Sequence, residues 1–359
     1  MFTDYTFGNV LHYLENKEIL PLLSVSKGWN ALATEYLKNW RVIHCGISQE
    51  VAIRMSDLGY KIKLDLSETK VTDVSMLGKV YNLHLRGTKV VDSALGNVHT
   101  LDLSHTKVMD VSMLGNVHTL DLSYTQVKDV SALGNVHTLV LSWTKVTDVS
   151  ALAKLHTLHL RGTKVMDVSL GNIHTLDLSG TKVTDVSALA KVHTLNLSNT
   201  NVEDVSVLGN VHTLNLNSTK VTDVSALGKV HTLSLCNTKV PDVSMLGNVH
   251  TLNLRWAKVT DVSMLGNVHT LDLRGTQVTD VSMLGKVYTL DLSCTQVMDV
   301  SALGNVHTLD LSCTKVKDVS ALGNVHTLHL DATRITDISA LGNVHTLSLS
   351  GTLVTNSYD

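Results

Sequence analysis

Residues 98–116 read Val98-His99-Thr100-Leu101-Asp102-Leu103-Ser104-His105-Thr106-Lys107-Val108-Met109-Asp110-Val111-Ser112-Met113-Leu114-Gly115-Asn116, and this 19-residue sentence returns from Lys61 onward. Copies begin at Lys61, Val80, Val98, Val117, Val136, Leu155, Ile173, Val192, Val211, Val230, Val249, Val268, Val287, Val306, Val325 and Val344. Those from Val80 and Leu155 are one residue short, and the last is incomplete. A fixed short period means a solenoid, in which each unit buries its apolar face only against its neighbours. Repetition also supplies an internal comparison. Slots that never change belong to the frame, and slots that drift are where recognition can sit.

With Val98 as slot 1, apolar residues fill slots 1, 4, 6 and 11. The leucines at slots 4 and 6 alternate with period two, which predicts a short strand with both on one side. The pattern L-x-x-L-x-L-x-x-N-x-L resembles the leucine-rich repeat, over about 300 residues. Slot 9 departs from it by carrying Thr (Thr106, Thr125, Thr144) where the family has Asn; a hydroxyl still bonds neighbouring backbone with fewer groups. The unit of 19 is too short for a convex helix. The expectation is an α+β solenoid with one parallel sheet on a concave face and short 3₁₀ turns or loops on the convex side. Asp at slot 13 (Asp73, Asp92, Asp110, Asp129, and so on to Asp337) reads as a cap on that turn, and Gly at slot 18 as its release into the next strand. A calcium ladder is the alternative for the Asp column, but Gly-rich β-roll loops are absent.

Thirteen histidines share slot 2: His99, His118, His137, His156, His174, His193, His212, His231, His250, His269, His307, His326 and His345. Tyr81 and Tyr288 replace them in two copies. In-register parallel strands lie ~5 Å apart, so the rings should form a stacked row. Packing, a zinc site and a pH switch are the three readings. Tyrosine keeps the ring and cannot ligate as imidazole does, which favours packing.

Slots 3, 5 and 7 should face the concave side, with slot 8 at its exit edge. Slot 8 runs His105, Tyr124, Trp143 in consecutive copies and then falls to Gly162 and Gly180. A second cluster is Arg255-Trp256 followed by Arg274-Gly275, and His159 and Arg161 form a third. Trp, Tyr and Arg are the types enriched at binding hot spots, so His105, Tyr124, Trp143, His159, Arg161, Arg255, Trp256 and Arg274 are candidate partner-binding residues. The alternative is that bulky slot-8 side chains only shield the Thr column behind them. Cys294 and Cys313 share slot 8 in adjacent copies, within disulfide reach, and read as free thiols in a reducing compartment.

Charge and composition exclude several classes. A net charge of −3 with no basic run leaves no footprint for nucleic acid or an acidic membrane surface. No stretch approaches the roughly 20 apolar residues of a membrane-spanning helix. Met1–Leu14 lacks the basic start and apolar run of a secretion signal, so an intracellular protein (cytoplasm or nucleus) is expected. Ser, His and Asp are spread as columns, one of each per copy, so spacing singles out no nucleophile; an enzyme and a cofactor are not expected.

Before the repeats, apolar residues recur at helical spacing: Val10, Leu11 and Leu14; Ile19, Leu20 and Leu23; Leu32, Tyr36 and Leu37. Asn16 is a candidate helix cap. Leu14, Lys17-Glu18-Ile19-Leu20, Val25-Ser26-Lys27-Gly28-Trp29 and Trp40 resemble the F-box, with its leucine, K-D/E-L-L helix, V-S-K-x-W turn and later tryptophan. The chain lacks the family's opening Leu-Pro and places Pro21 inside the second helix. The resemblance implies a three-helix head, residues 1–45, that docks an Skp-type adaptor of a cullin ubiquitin ligase through Leu14, Ile19, Leu20, Leu23, Val25 and Trp29. The repeats, residues 61–359, would then capture a target protein of unknown identity. The near-identical copies are also similar to repeat proteins of large DNA viruses that infect amoebae. Residues 46–60 read as a capping helix from about Ser48, with Val51, Ala52, Met55 and Leu58 sealing the first repeat. Leu347 and Leu349 have no such seal, and fraying or self-association is expected there.

Overall fold

A computed structural model describes residues 42–44, 49–91, 95–170 and 172–354. The head positions Leu14, Ile19, Leu20, Leu23, Val25 and Trp29, and Asp92 of the turn column, lie outside the described residues. The chain divides into two compact units between His159 and Leu160, inside a copy that is one residue short.

Among the described residues, the first unit holds seven strands: β1 (Val42–His44), β2 (Lys61–Asp65), β3 (Asn82–His84), β4 (Thr100–Asp102), β5 (Thr119–Asp121), β6 (Thr138–Val140) and β7 (Thr157–His159). The second holds ten, from β8 (Thr175–Asp177) to β17 (Thr346–Ser348). Within each unit, neighbours in the sequence pair in parallel. Thr100, Leu101 and Asp102 face Thr119, Leu120 and Asp121, and Thr213, Leu214 and Asn215 face Thr232, Leu233 and Ser234. Side chains nineteen apart therefore meet, as the period demands.

Strands β3 to β16 cover slots 3 to 5, with slot 4 buried and its neighbours half-buried. Valines at slots 1, 11 and 14 and leucines at slots 4, 6 and 17 fill the core; in the copy from Val117, Val117, Leu120, Leu122, Val127 and Leu133 are fully enclosed and Val130 is nearly so. Burying a Leu or Val side chain contributes about 2 kcal/mol, so repetition builds the core one layer at a time.

Short 3₁₀ turns such as Ser131–Leu133 and Ser225–Leu227 close most coils. The Asp column stabilises them as an Asx turn: Asp129 Oδ1 accepts the Ser131 N–H at 2.9 Å, and Asp223 accepts that of Ser225 at the same distance. The glycine at slot 18 has a different role from the expected one. Gly134 sits at φ −63°, ordinary right-handed backbone. A Cβ there would come within 2.7 Å of the Ala151 carbonyl oxygen in the next coil, so close packing of coils sets the residue.

At the start of the sheet two expectations change. Val42–His44 pairs with β2, so the sheet begins inside the stretch assigned to the head. The capping helix is present as α1 (Gln49–Asp57), with Ala52 fully buried. Leu58 is not part of the seal and stands 62% exposed. The helix ends just before it, where Gly59 takes φ 85°, Gly59 N–H donates to Ser56 C=O and Tyr60 N–H to Met55 C=O, the left-handed stop that glycine favours. Leu347 in β17 and Leu349 just after it are half-buried, where Leu328 and Leu330 one coil earlier are fully enclosed.

Candidate functional site

The exit from each strand is a tight turn with a repeated hydrogen-bond plan. Slot 5 is often Asp, and its carboxylate accepts the slot-7 N–H: Asp102 Oδ1 from Ser104 and Asp121 from Ser123, both at 2.8 Å. Slot 7 is enclosed in several copies where it is serine, with Ser104 and Ser293 only 2% and 3% exposed, and open where it is Arg86 or Arg161. Slot 8 then takes positive φ, and slot 9 closes the turn, with Thr106 Oγ1 donating to the Leu103 carbonyl at 2.6 Å.

Positive φ at slot 8 holds in every described copy. Gly87, Gly162, Gly180, Gly275 and Gly351 have φ of 67–69°, and Asn199 and Asn237 follow at 57° and 56°. Those residues suit the left-handed region. His105, Tyr124, Trp143 and Trp256 occupy it too, at 58°, 59°, 60° and 57°. For a bulky side chain this backbone costs about 1 kcal/mol or more. The recurring Gly and Asn at slot 8 are the sequence signal for this conformation.

Shielding the Thr column does not require these rings. Thr88, Thr163, Thr181 and Thr276 stand behind glycines and are 4%, 3%, 4% and 3% exposed. Thr106, Thr125 and Thr144 stand behind His105, Tyr124 and Trp143 and are 4%, 1% and 5% exposed. The column is equally buried with and without a large neighbour.

The structure brings the candidate residues together in two groups, one per unit. In the first, His105 stacks on Tyr124 with ring centroids 4.4 Å apart, and Tyr124 stacks on Trp143 at 6.1 Å. Tyr124 and Trp143 remain 49% and 48% exposed, so the stack presents an apolar edge to solvent. In the second, Arg255, Trp256 and Arg274 occupy consecutive coils, and Trp256 is 50% exposed. A Cβ on Gly275 would overlap the Trp256 indole, so glycine there lets the ring lie over the next coil. His159 closes β7 in the first unit, half-buried; Arg161 is exposed in the second.

The slot-2 rings stack within each unit. His118 and His137 lie 4.6 Å apart with planes 9° from parallel, as do His212 and His231. Each Nδ1 sits near the next Thr hydroxyl, 3.2 Å from Thr138 for His137. Ring faces, not nitrogens, point at one another, so neighbouring imidazoles do not converge on a common point. Burial, and then the charge of neighbouring rings, holds His99, His137, His193 and His231 below the ordinary histidine value. Cys294 and Cys313 are free thiols; burial first, then the adjacent Cys294, pushes Cys313 up.

A parallel sheet of L-x-L strands in register, with 3₁₀ turns across from it, defines the leucine-rich-repeat fold. No family model and no curated protein matches the chain. Solved structures do. A leucine-rich-repeat protein of Leptospira interrogans, LIC12759, aligns with a TM-score of 0.70 and 20% identity over 86% of this chain and 94% of its own. An internalin, inlF, from Listeria monocytogenes aligns at 0.59 and 23% identity, over 83% and 93%. A plant peptide hormone receptor, RGFR1, in complex with RGF2, aligns at 0.55 and 14% identity, over 86% and 62%. Among the described residues no helix is long and apolar enough to cross a membrane.

Proposed function

We propose that the repeats form a non-catalytic interaction surface whose exposed slot-8 edge captures a protein segment. One observation carries this reading. Tyr124, Trp143 and Trp256 hold large, half-exposed rings on backbone that favours glycine, and the threonines behind them are buried without such rings. Strain without structural return is characteristic of functional positions. The plant receptor above is a peptide-binding protein of the same fold, which agrees with the reading. The test is selection of binders from a random-peptide display library against the full chain. Selected peptides should lose at least tenfold in affinity on Trp143→Gly or Trp256→Gly, with circular dichroism unchanged. Binders indifferent to both substitutions would overturn the proposal.

A finer reading makes the chain a substrate receptor of a cullin ubiquitin ligase. It rests on the spacing of Leu14, Lys17-Glu18-Ile19-Leu20, Val25-Ser26-Lys27 and Trp29, with Trp40 beyond. On that reading a purified Skp-type adaptor binds the full chain, and Leu20→Ala with Trp29→Ala abolishes binding while the repeats stay folded. Adaptor that fails to bind the wild-type chain would leave the second reading, a ligase-independent scaffold whose head serves as a cap for the solenoid.

A further inference from the structure

Two of the chain's four cysteines, Cys294 and Cys313, hold slot 8 in consecutive copies. Their coils pair in register, with Thr289, Leu290 and Asp291 of β14 (Thr289–Asp291) facing Thr308, Leu309 and Asp310 of β15 (Thr308–Asp310). Three residues on, the two exit turns match. Cys294 has φ 60° and Cys313 58°, and their N–H groups donate to the slot-7 carbonyls of Ser312 and Asp331, both at 2.8 Å. Side chains that leave such turns in adjacent coils lie side by side, as His105 and Tyr124 do with ring centroids 4.4 Å apart. Cys294 and Cys313 are free thiols, the first half-buried and the second exposed, and they are close enough for a thiol–thiol hydrogen bond.

Adjacent parallel strands lie about 4.8 Å apart, inside the range of roughly 4.4–6.8 Å that separates the Cα atoms of a disulfide. Parallel Cβ atoms must lean together to close the bond, so it forms with some strain, and strained disulfides are the ones that thiols reopen. Slot 8 of the following coil is Ala332, itself exposed, which leaves Cys313 accessible to a reagent from that side. Cys236 is the contrast inside the chain. It is half-buried at slot 7, with Asn217 and Arg255 at that slot in the adjacent coils, so no second thiol stands beside it.

We propose that Cys294 and Cys313 form a reversible dithiol–disulfide site whose substrate is a small-molecule disulfide, R–S–S–R. The exposed Cys313 reacts first: its thiolate attacks one sulfur of the reagent, forms a mixed disulfide and releases RS⁻. The Cys294 thiolate then attacks the Cys313 sulfur of the mixed disulfide, forms the bond between coils and releases the second RS⁻. The two cysteine protons pass to the two released thiolates, so one disulfide is reduced as another forms. Burial, then the adjacent Cys294, holds the Cys313 thiol above its ordinary value, with Arg274 opposing the shift and Asp310 adding to it; the exchange therefore needs mildly alkaline solution. The site stands independently of the partner-surface reading.

Trypsin releases both cysteines on one peptide, residues 287–315, because no Lys or Arg lies between Lys286 and Lys315. The full chain is incubated with oxidised glutathione at about pH 8.5, its remaining thiols are alkylated, and the digest is weighed by mass spectrometry. The wild-type peptide should lose two hydrogens and carry no glutathione, and dithiothreitol should restore the dithiol. Cys294→Ser, which has no second thiol, should instead keep one glutathione on Cys313. In concentrated urea the ratio of bridged to adducted wild-type peptide should fall at least tenfold, because coil register no longer holds the thiols together. Glutathione retained on the wild-type peptide, a peptide left as the dithiol, or a ratio that urea does not lower would each overturn the proposal.

Discussion

The edge built from His105, Tyr124 and Trp143 and the cluster built from Arg255, Trp256 and Arg274 use the same slots on the same backbone, with opposite chemistry. In the first unit three rings stack in succession and carry no fixed charge. In the second a single indole lies over Gly275, and half-buried Arg255 and Arg274 share its two coils. The positive φ and the enclosed leucines are common to both, and an Asx turn precedes slot 8 at His105, Tyr124, Trp256 and Gly275. The frame is therefore indifferent to what it displays, and recognition can change from coil to coil without disturbing the fold.

If that separation holds, damage to the frame should be severe and alike in the two regions. Leu139→Ala falls in the coil that carries Trp143 and Leu252→Ala in the coil that carries Trp256; both leucines are essentially fully buried. Each should cost about 3 kcal/mol in urea unfolding, the usual range for a buried leucine being 2–5. A large difference between the two would mean that the coils are not equivalent supports.

A smaller effect sharpens the role of slot 9. Thr125 and Thr295 are 1% exposed, and each hydroxyl donates to the carbonyl three residues back. Thr125→Val and Thr295→Val should each lose about 1 kcal/mol, the net worth of one hydrogen bond. The exception is instructive: Ala257 holds this slot behind Trp256, and the turn there keeps its backbone bond to Leu254 at 2.9 Å.

Acid should weaken both units in two separate windows. His99 and His137 in one unit, and His193 and His231 in the other, have folded values below the ordinary 6.5. The unfolded chain then takes up more protons as pH falls below 6.5, so folding stability falls with it. The melting temperature should drop between pH 7.5 and 5.5, and a flat profile would contradict the stacked-row account. The turn aspartates behave differently. Hydrogen bonds from the serine two residues on hold Asp129 and Asp223 below 3.8, so their contribution persists above that value and is lost only as pH falls through the folded one.

The period made the register legible: side chains nineteen apart do face one another, and the buried columns follow from L-x-L alternation. The turns were read less well, because their residues answer to backbone conformation and not to hydrophobic pattern. Gly134 looked like a left-handed release and is instead a site of close approach between coils. Left-handed backbone lies ten residues earlier, at Tyr124 and its equivalents, where Gly and Asn in other copies mark it and aromatic side chains mask it. Val42–His44 lies before the repeat, so no copy of the L-x-L pattern marks it as a strand.

The smallest expected change is the most telling. Trp143→Gly and Trp256→Gly remove the largest side chains at slot 8, each about half exposed on left-handed backbone. Relief of that backbone, about 1 kcal/mol, should offset the lost ring contacts, so urea unfolding should place both variants within about 1 kcal/mol of wild type. A loss of more than about 2 kcal/mol in either, comparable with a buried leucine, would show that the rings hold the fold together and would contradict their assignment to a partner.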